Sequence, residues 1–165
     1  TTQHYIHTRL TADFMRSLRP PADDWEKSWR KNNESHPLVN QWNFLGLGIC
    51  VDDLESASSY YSDLGYTKLN NAIKKKEWRA IYQEFSLGGV LFELIKSEEG
   101  SIYSDSLKRR GDGVAEIIFE VSDIHKEIDR LIVKGTQILQ FSDDEKMVSI
   151  QSGLKGNILT RLIEK

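Results

Sequence analysis

From Asn43 onward the chain passes from short apolar runs to longer stretches in which apolar residues recur every three or four positions. "LGICV" (47–51) is a continuous apolar run and reads as a buried strand. Asp53 follows, placed to cap a helix, and an amphipathic stretch then ends at Gly65. The same succession returns as "IIFEV" (117–121), Asp123, an amphipathic stretch and Gly135. Val51, Asp53, Leu54 and Gly65 match Val121, Asp123, Ile124 and Gly135, which defines an internal repeat at a constant offset of 70. Three strand-like runs follow each helix, at about 66–70, 79–86 and 90–96, and again at about 136–141, 146–151 and 157–163. Gly88-Gly89 predicts a two-residue hairpin turn, and Ser152-Gly153 through Gly156 a turn in the second copy. The expected architecture is α+β: a strand–helix–three-strand unit used twice, with modules at about 43–98 and 112–164 of a domain spanning 43–165.

Residues 1–42 follow another pattern. Leu10, Phe14 and Leu18 recur at helical spacing until Pro20-Pro21 breaks it. Asp23 and Glu26 resemble a capping box for a second short helix that carries Trp25 and Trp29. Helices this short do not hold themselves together. A helical N-terminal extension is therefore expected to cover its own domain, to pack across a homodimer, or to dock on another protein.

Composition narrows the partners. The chain has 165 residues, enough for one domain with a sizeable core, and a net charge of only -3. No nucleic-acid or anionic-membrane partner is indicated, and the basic run "IKKKEWR" (73–79) reads as a solvated strand end or loop. No apolar run approaches the roughly 20 residues of a membrane span, and no charged-then-apolar leader stands at Thr1 onward. The single cysteine, Cys50, excludes an internal disulfide and fits a reducing compartment, so a cytoplasmic location is expected. Its place in "LGICV" makes it a buried structural thiol rather than a nucleophile. "GLGIC" (46–50) is no dinucleotide fingerprint, because it lies within a strand and lacks a third glycine.

One residue disturbs the apolar pattern. In "GDGVAEIIFEVSDI" (111–124), Glu116 stands inside a strand that otherwise reads as buried. A carboxylate there costs several kcal/mol unless it is paired, metal-bound or protonated. Period-two alternation puts Gly46, Gly48 and Cys50 on one face of their strand, Leu91 with Glu93 on one face of theirs, Glu116 with Ile118 and Glu120 of a third, and Leu159 with Arg161 of a fourth.

The motifs "LGICVDDLESASSYYSDLGY", "VLFELIKSEEG", "SLKRRGDGVAEIIFEVSDIHKEIDRL" and "ILTRLIE" resemble the vicinal oxygen chelate superfamily, which includes glyoxalase I and bleomycin-resistance proteins. Within it the likeness is greatest to the methylmalonyl-CoA epimerases, and it covers about 43–164. The resemblance implies a cupped mixed sheet enclosing one ligand cavity, with a divalent metal held by four side chains from four strands. It puts those ligands at Gly46, Glu93, Glu116 and Arg161, of which only Glu93 is a matching type. All four histidines, at 4, 7, 36 and 125, lie elsewhere. Two carboxylates without an imidazole are too few protein ligands for a transition metal. A water-rich Mg²⁺ on Glu93 and Glu116 would compete with Arg161, which stays protonated. No metal and no other cofactor is therefore expected.

In place of a metal, Glu93, Glu116 and Arg161 are expected to meet in the cup. Two carboxylates facing one guanidinium leave an excess negative charge, so one glutamate should hold its proton more tightly than usual. Such a cluster either closes the cavity structurally or exchanges protons with a ligand while Arg161 holds a carboxylate, phosphate or enolate oxygen. The resemblance adds Glu77 near the position of a proton-abstracting glutamate; an exposed glutamate at a charged strand end is the alternative. Trp78, Tyr82, Phe85 and Ile118 are expected to line the cavity, and Gly46 and Gly48 to leave room for a ligand or a large opposing side chain. The functional expectation is a metal-independent epimerase-like enzyme moving a proton on a small molecule, an acyl thioester or a polyketide-type compound of specialised metabolism. The rival is a non-catalytic binding protein, or a docking domain of a larger assembly.

Overall fold

The computed structural model describes residues 42–143, 145–151 and 158–165, together with the single positions 28 and 31. By its internal contacts the chain divides into Thr1–Gln41 and Trp42–Lys165. The two N-terminal helices expected from sequence, His4, His7 and His36, and the turn at 152–156 lie outside the described residues.

In Trp42–Lys165 the elements run β1 (Trp42–Cys50), α1 (Leu54–Asp63), β2 (Thr67–Lys68), β3 (Ile73–Lys75), β4 (Ala80–Leu87), β5 (Val90–Ser97), α2 (Ser104–Arg110), β6 (Gly113–Val121), α3 (Ile124–Val133), β7 (Ile138–Phe141), β8 (Met147–Gln151) and β9 (Leu159–Glu164). The strands form one mixed sheet in the order β2-β4-β5-β1-β6-β9-β8-β7, with β3 also paired to β4. The last strands do not meet, so the sheet is a cup and not a closed barrel. Within each module the first and last strands are parallel neighbours, β1 with β5 and β6 with β9. The antiparallel β1–β6 pair joins the two modules.

Local chemistry explains the repeat. Asp53 accepts hydrogen bonds from the backbone N–H groups of Glu55 and Ser56, and Asp123 from that of Lys126, so each capping aspartate starts its helix as the spacing predicts. Gly88 and Gly89 have φ values of 59° and 82°, the left-handed pair that a two-residue hairpin between Leu87 and Val90 requires. On the outer face of the sheet, α3 buries Ile124, Ile128 and Leu131 against Val121, Val148, Ile150 and Leu162. There α1 lays Leu54, Ala57 and Tyr61 on Ile49, Val51, Phe85 and Leu94. On the inner face Cys50, Trp78, Ala80, Tyr82, Ile95, Tyr103, Ala115 and Leu159 pack together. Cys50 is buried as expected, and burial pushes its thiol up to about 12, which leaves it inert.

Three features differ from the sequence expectations. The run at 73–79 contains the short strand β3 before its turn, because Ile73–Lys75 pairs with Ala80–Tyr82. Residues 101–110, which carry no clear periodicity, turn into the inner cluster at Tyr103 and form α2. Phe85 does not face the cup: alternation from Tyr82 sends it to the outer face, where it meets Tyr61.

Candidate functional site

The site is built around β1, which lies between β5 and β6. Gly48 pairs with Glu93 on one side and with Glu116 on the other. A Cβ at Gly48 would stand 2.4 Å from Glu116 Cγ and 2.8 Å from Ile95 Cδ1, so its missing side chain makes the space that Glu116 fills. A Cβ at Gly46 would lie 1.9 Å from the carbonyl oxygen of Leu91. Of the two roles expected for these glycines, the structure gives Gly48 the large opposing side chain and gives Gly46 a close backbone approach. Neither faces open room for a ligand.

Glu93, Glu116 and Arg161 meet as the sequence predicts, at relative exposures of 2%, 0% and 0%. Gly48 pairs with Glu93 and Ile118 with Arg161, and Gly48 and Ile118 keep the offset of 70. Glu93 and Arg161 thus hold equivalent places in the two modules. Arg161 Nη2 donates to Glu93 Oε2 and lies 2.7 Å from Glu116 Oε1, an ion pair without hydrogen-bond geometry. Glu116 has a second partner that sequence reasoning missed: the Tyr103 hydroxyl donates to Oε2 at 2.9 Å. Tyr82 donates in turn to the Tyr103 oxygen at 3.2 Å, and the guanidinium lies 5.5 Å from the centre of the Tyr82 ring. Burial pushes the hydroxyl pKa of both tyrosines up, so they act as neutral donors.

The donors are not all used. Arg161 Nε and Nη1, Ser149 Oγ and Trp78 Nε1 are buried without a hydrogen-bond partner among the described residues. Arg161 therefore spends one of its three nitrogens on the two carboxylates.

Burial holds the Glu116 carboxyl above its ordinary 4.5; Glu93 adds to the rise, while Arg161 and the Tyr103 hydrogen bond oppose it. Glu84 was also missed, although alternation from Tyr82 would have found it. It pairs with Glu93 across β4–β5, accepts from Asn70 Nδ2 at 2.7 Å, and is raised by burial and by Glu93. A carboxyl with a raised folded pKa binds protons more tightly in the native than in the unfolded chain. Its stabilising contribution is full below 4.5 and is lost as the pH rises through the elevated folded value. Urea unfolding of wild type and Glu116→Gln across pH 4 to 8 is expected to give a stability difference that shifts against wild type as pH rises; a flat difference would contradict the raised pKa.

The remaining predicted residues divide. Trp78, Tyr82 and Ile118 are all buried, Trp78 and Tyr82 in the inner cluster and Ile118 opposite Arg161. Glu77 does not reach the cluster. It sits half-buried in the turn ahead of β4, with no ion pair or hydrogen bond among the described residues, because β3 takes up the chain before it. Two open clefts of about 420 and 430 Å³ flank α1, and neither is lined by a member of the cluster.

The donor set does not fit a divalent metal. Gly46 offers no ligand atom, and the Arg161 guanidinium already lies between the two carboxylates that would have to bind the ion. A dication there would meet a fixed positive charge at contact distance.

A family model described as the glyoxalase/bleomycin resistance protein/dioxygenase superfamily matches residues 47–146. Among solved structures, methylmalonyl-CoA epimerase from Mycobacterium tuberculosis superposes with a TM-score of 0.63 at 22% identity, over 73% of this chain and 86% of that one. A variant Streptomyces coelicolor methylmalonyl-CoA epimerase in complex with 2-nitronate-propionyl-CoA gives 0.65 at 18% identity, over 76% and 99%. A methylmalonyl-CoA epimerase in complex with methylmalonyl-CoA and NH4+ gives 0.65 at 18%, over 76% and 96%. At such identities the likeness is one of fold. No curated protein matches the sequence.

Proposed function

The chain belongs to the glyoxalase/bleomycin resistance protein/dioxygenase superfamily, and on that premise we propose that it is a metal-independent, epimerase-like enzyme that moves a proton on a small acyl compound. The observation that carries this reading is Glu116, a carboxyl whose proton affinity is raised by burial, held beside a fixed cation with unused donors at the centre of the cup. In the proposed step the C–H bond alpha to a carbonyl breaks and its proton passes to the Glu116 carboxylate. The electron pair moves onto the carbonyl oxygen, and Arg161 stabilises the resulting enolate. Return of the proton gives isomerisation, and loss of a leaving group gives elimination. The neighbours solved with coenzyme A thioesters make an acyl thioester the first substrate class to try. Polyketide-type specialised metabolism remains the corresponding setting.

The test is deuterium incorporation from solvent into the alpha position of a propionyl or methylmalonyl thioester, followed by mass spectrometry. Incorporation should persist in a chelator and fall by about 10²–10⁴-fold in Glu116→Gln, the usual worth of a positioned acid or base. Exchange that vanishes with chelator, or that survives Glu116→Gln, would remove the proposal.

A second reading rests on one specific observation, the complete burial of the cluster. On that reading the Glu–Arg–Glu group only closes the cup, and the domain binds a ligand or partner elsewhere without turnover. Binding without exchange would favour it.

A further inference from the structure

We propose that the free edge of Arg161 and the hydroxyl of Ser149 form an acceptor site for a neutral carbonyl oxygen, so that the ligand is a thioester, ketone or ester rather than a free carboxylic acid. This rests on the cup being the ligand site, as proposed above, and adds Ser149 as a recognition residue.

Ser149 stands on β8 between Val148 and Ile150, which both pack into the outer core. Alternation turns its side chain to the inner face, where its register partner on β9 is Arg161. Both residues are fully buried, and directly opposed Cβ atoms on paired strands are about 5 Å apart. Leaving a buried hydroxyl or guanidinium N–H unpaired is costly, and native proteins contain few such groups. Here Ser149 Oγ, Arg161 Nε and Arg161 Nη1 are all unpaired, with Trp78 Nε1 as a further case in the inner cluster. Glu116 Oε1 is the unpaired acceptor of the cluster among the described residues, and it faces Arg161 Nη2. The Nε and Nη1 edge of Arg161 and the Ser149 hydroxyl are thus left for an oxygen from outside the described residues.

Charge selects which oxygen. Glu93 and Glu116 outnumber Arg161 by one negative charge. Glu84, across from Glu93, and Lys75, whose Nζ lies 4.7 Å from the centre of the Tyr82 ring, leave that excess unchanged. A carboxylate ligand would double the excess in a water-poor site, at high electrostatic cost. A neutral carbonyl adds no charge. When its alpha proton passes to Glu116, the negative charge leaves the glutamate as it forms on the bound oxygen, so the total stays constant. Ser149 and Arg161 then act as donors preorganised for the enolate.

The experiment uses the full chain and two probes, S-propanoyl-N-acetylcysteamine carrying ¹³C at the thioester carbonyl, and ¹³C-carboxyl propionate. Binding is followed by ¹³C NMR titration. The thioester carbonyl should move downfield on binding, and propionate should show no saturable shift. Ser149→Ala should weaken thioester binding about tenfold and shrink the downfield shift, whereas Ser149→Thr, which keeps the hydroxyl, should restore both. Propionate binding as well as the thioester, an unchanged shift in Ser149→Ala, or no binding with an ordered water on these donors in a crystal structure would each overturn the proposal. A thioester that binds with the expected shift yet takes up no deuterium would leave the acceptor site standing and remove the proton-transfer function.

Discussion

Arg161→Met is expected to cost about 3–5 kcal/mol of folding stability, the usual penalty for removing one partner of a buried ion pair. The guanidinium is fully buried and is the cation in ion-pair contact with both Glu93 and Glu116. Its loss strands two carboxylates in the inner core. Methionine fills much of the same volume, so the change tests charge more than packing. The deficit should narrow on acidification, because protonation of Glu116 removes one of the two stranded charges. Adding Glu93→Gln and Glu116→Gln to Arg161→Met should return most of the lost stability, since a buried ion cluster is worth little more than a neutral replacement of similar shape. Urea midpoints of the single and triple variants decide the matter. A loss under about 1 kcal/mol in the single variant would mean that the ion cluster is not formed in solution. A triple variant as weak as the single one would mean that the guanidinium acts through packing.

The cluster was legible because the family resemblance assigns Glu93, Glu116 and Arg161 to facing strand positions, and two features of the chain itself agree with it: a carboxylate in an apolar strand and period-two alternation. The repeat fixed the helices, since Asp53 and Asp123 cap them through purely local hydrogen bonds. What stayed hidden depends on contacts distant in sequence. Tyr103 lies in a segment with no periodicity, and nothing local says that its ring enters the cup. Ser149 looks like an ordinary serine in a strand until its register partner proves to be Arg161. Glu77 was placed by analogy with a strand, but β3 pairs onto β4 and leaves Glu77 in the turn. The burial of Ala115 could not be read from alternation, because a register shift at Gly48/Ile49 interrupts the β1–β6 pairing.

Tyr103→Ala is expected to cost about 3–5 kcal/mol, the range for emptying a buried aromatic site. The ring is fully buried among Trp78, Tyr82, Leu159 and their neighbours, and α2, which follows it, has no fully buried residue of its own. Tyr103 is thus the principal side chain holding this connecting segment against the cup. Tyr103→Phe keeps the ring but removes the hydrogen bond to Glu116 and the acceptor for Tyr82, and should cost only about 1 kcal/mol. The phenylalanine variant should also make the pH dependence steeper, because losing a donor to the carboxylate form raises the Glu116 pKa further. Access to the cluster should separate the two variants. Phenylglyoxal modifies exposed guanidinium groups, and mass spectrometry can follow Arg161 by its own peptide. Labelling of Arg161 should be at least about tenfold faster in Tyr103→Ala than in wild type, and near the wild-type rate in Tyr103→Phe, because a cavity that large admits reagent by more than 1.4 kcal/mol of easier opening. Equal labelling in all three proteins would show that this ring does not control entry to the cup. A cost below about 1 kcal/mol for the alanine variant would show that the ring is not packed there in solution.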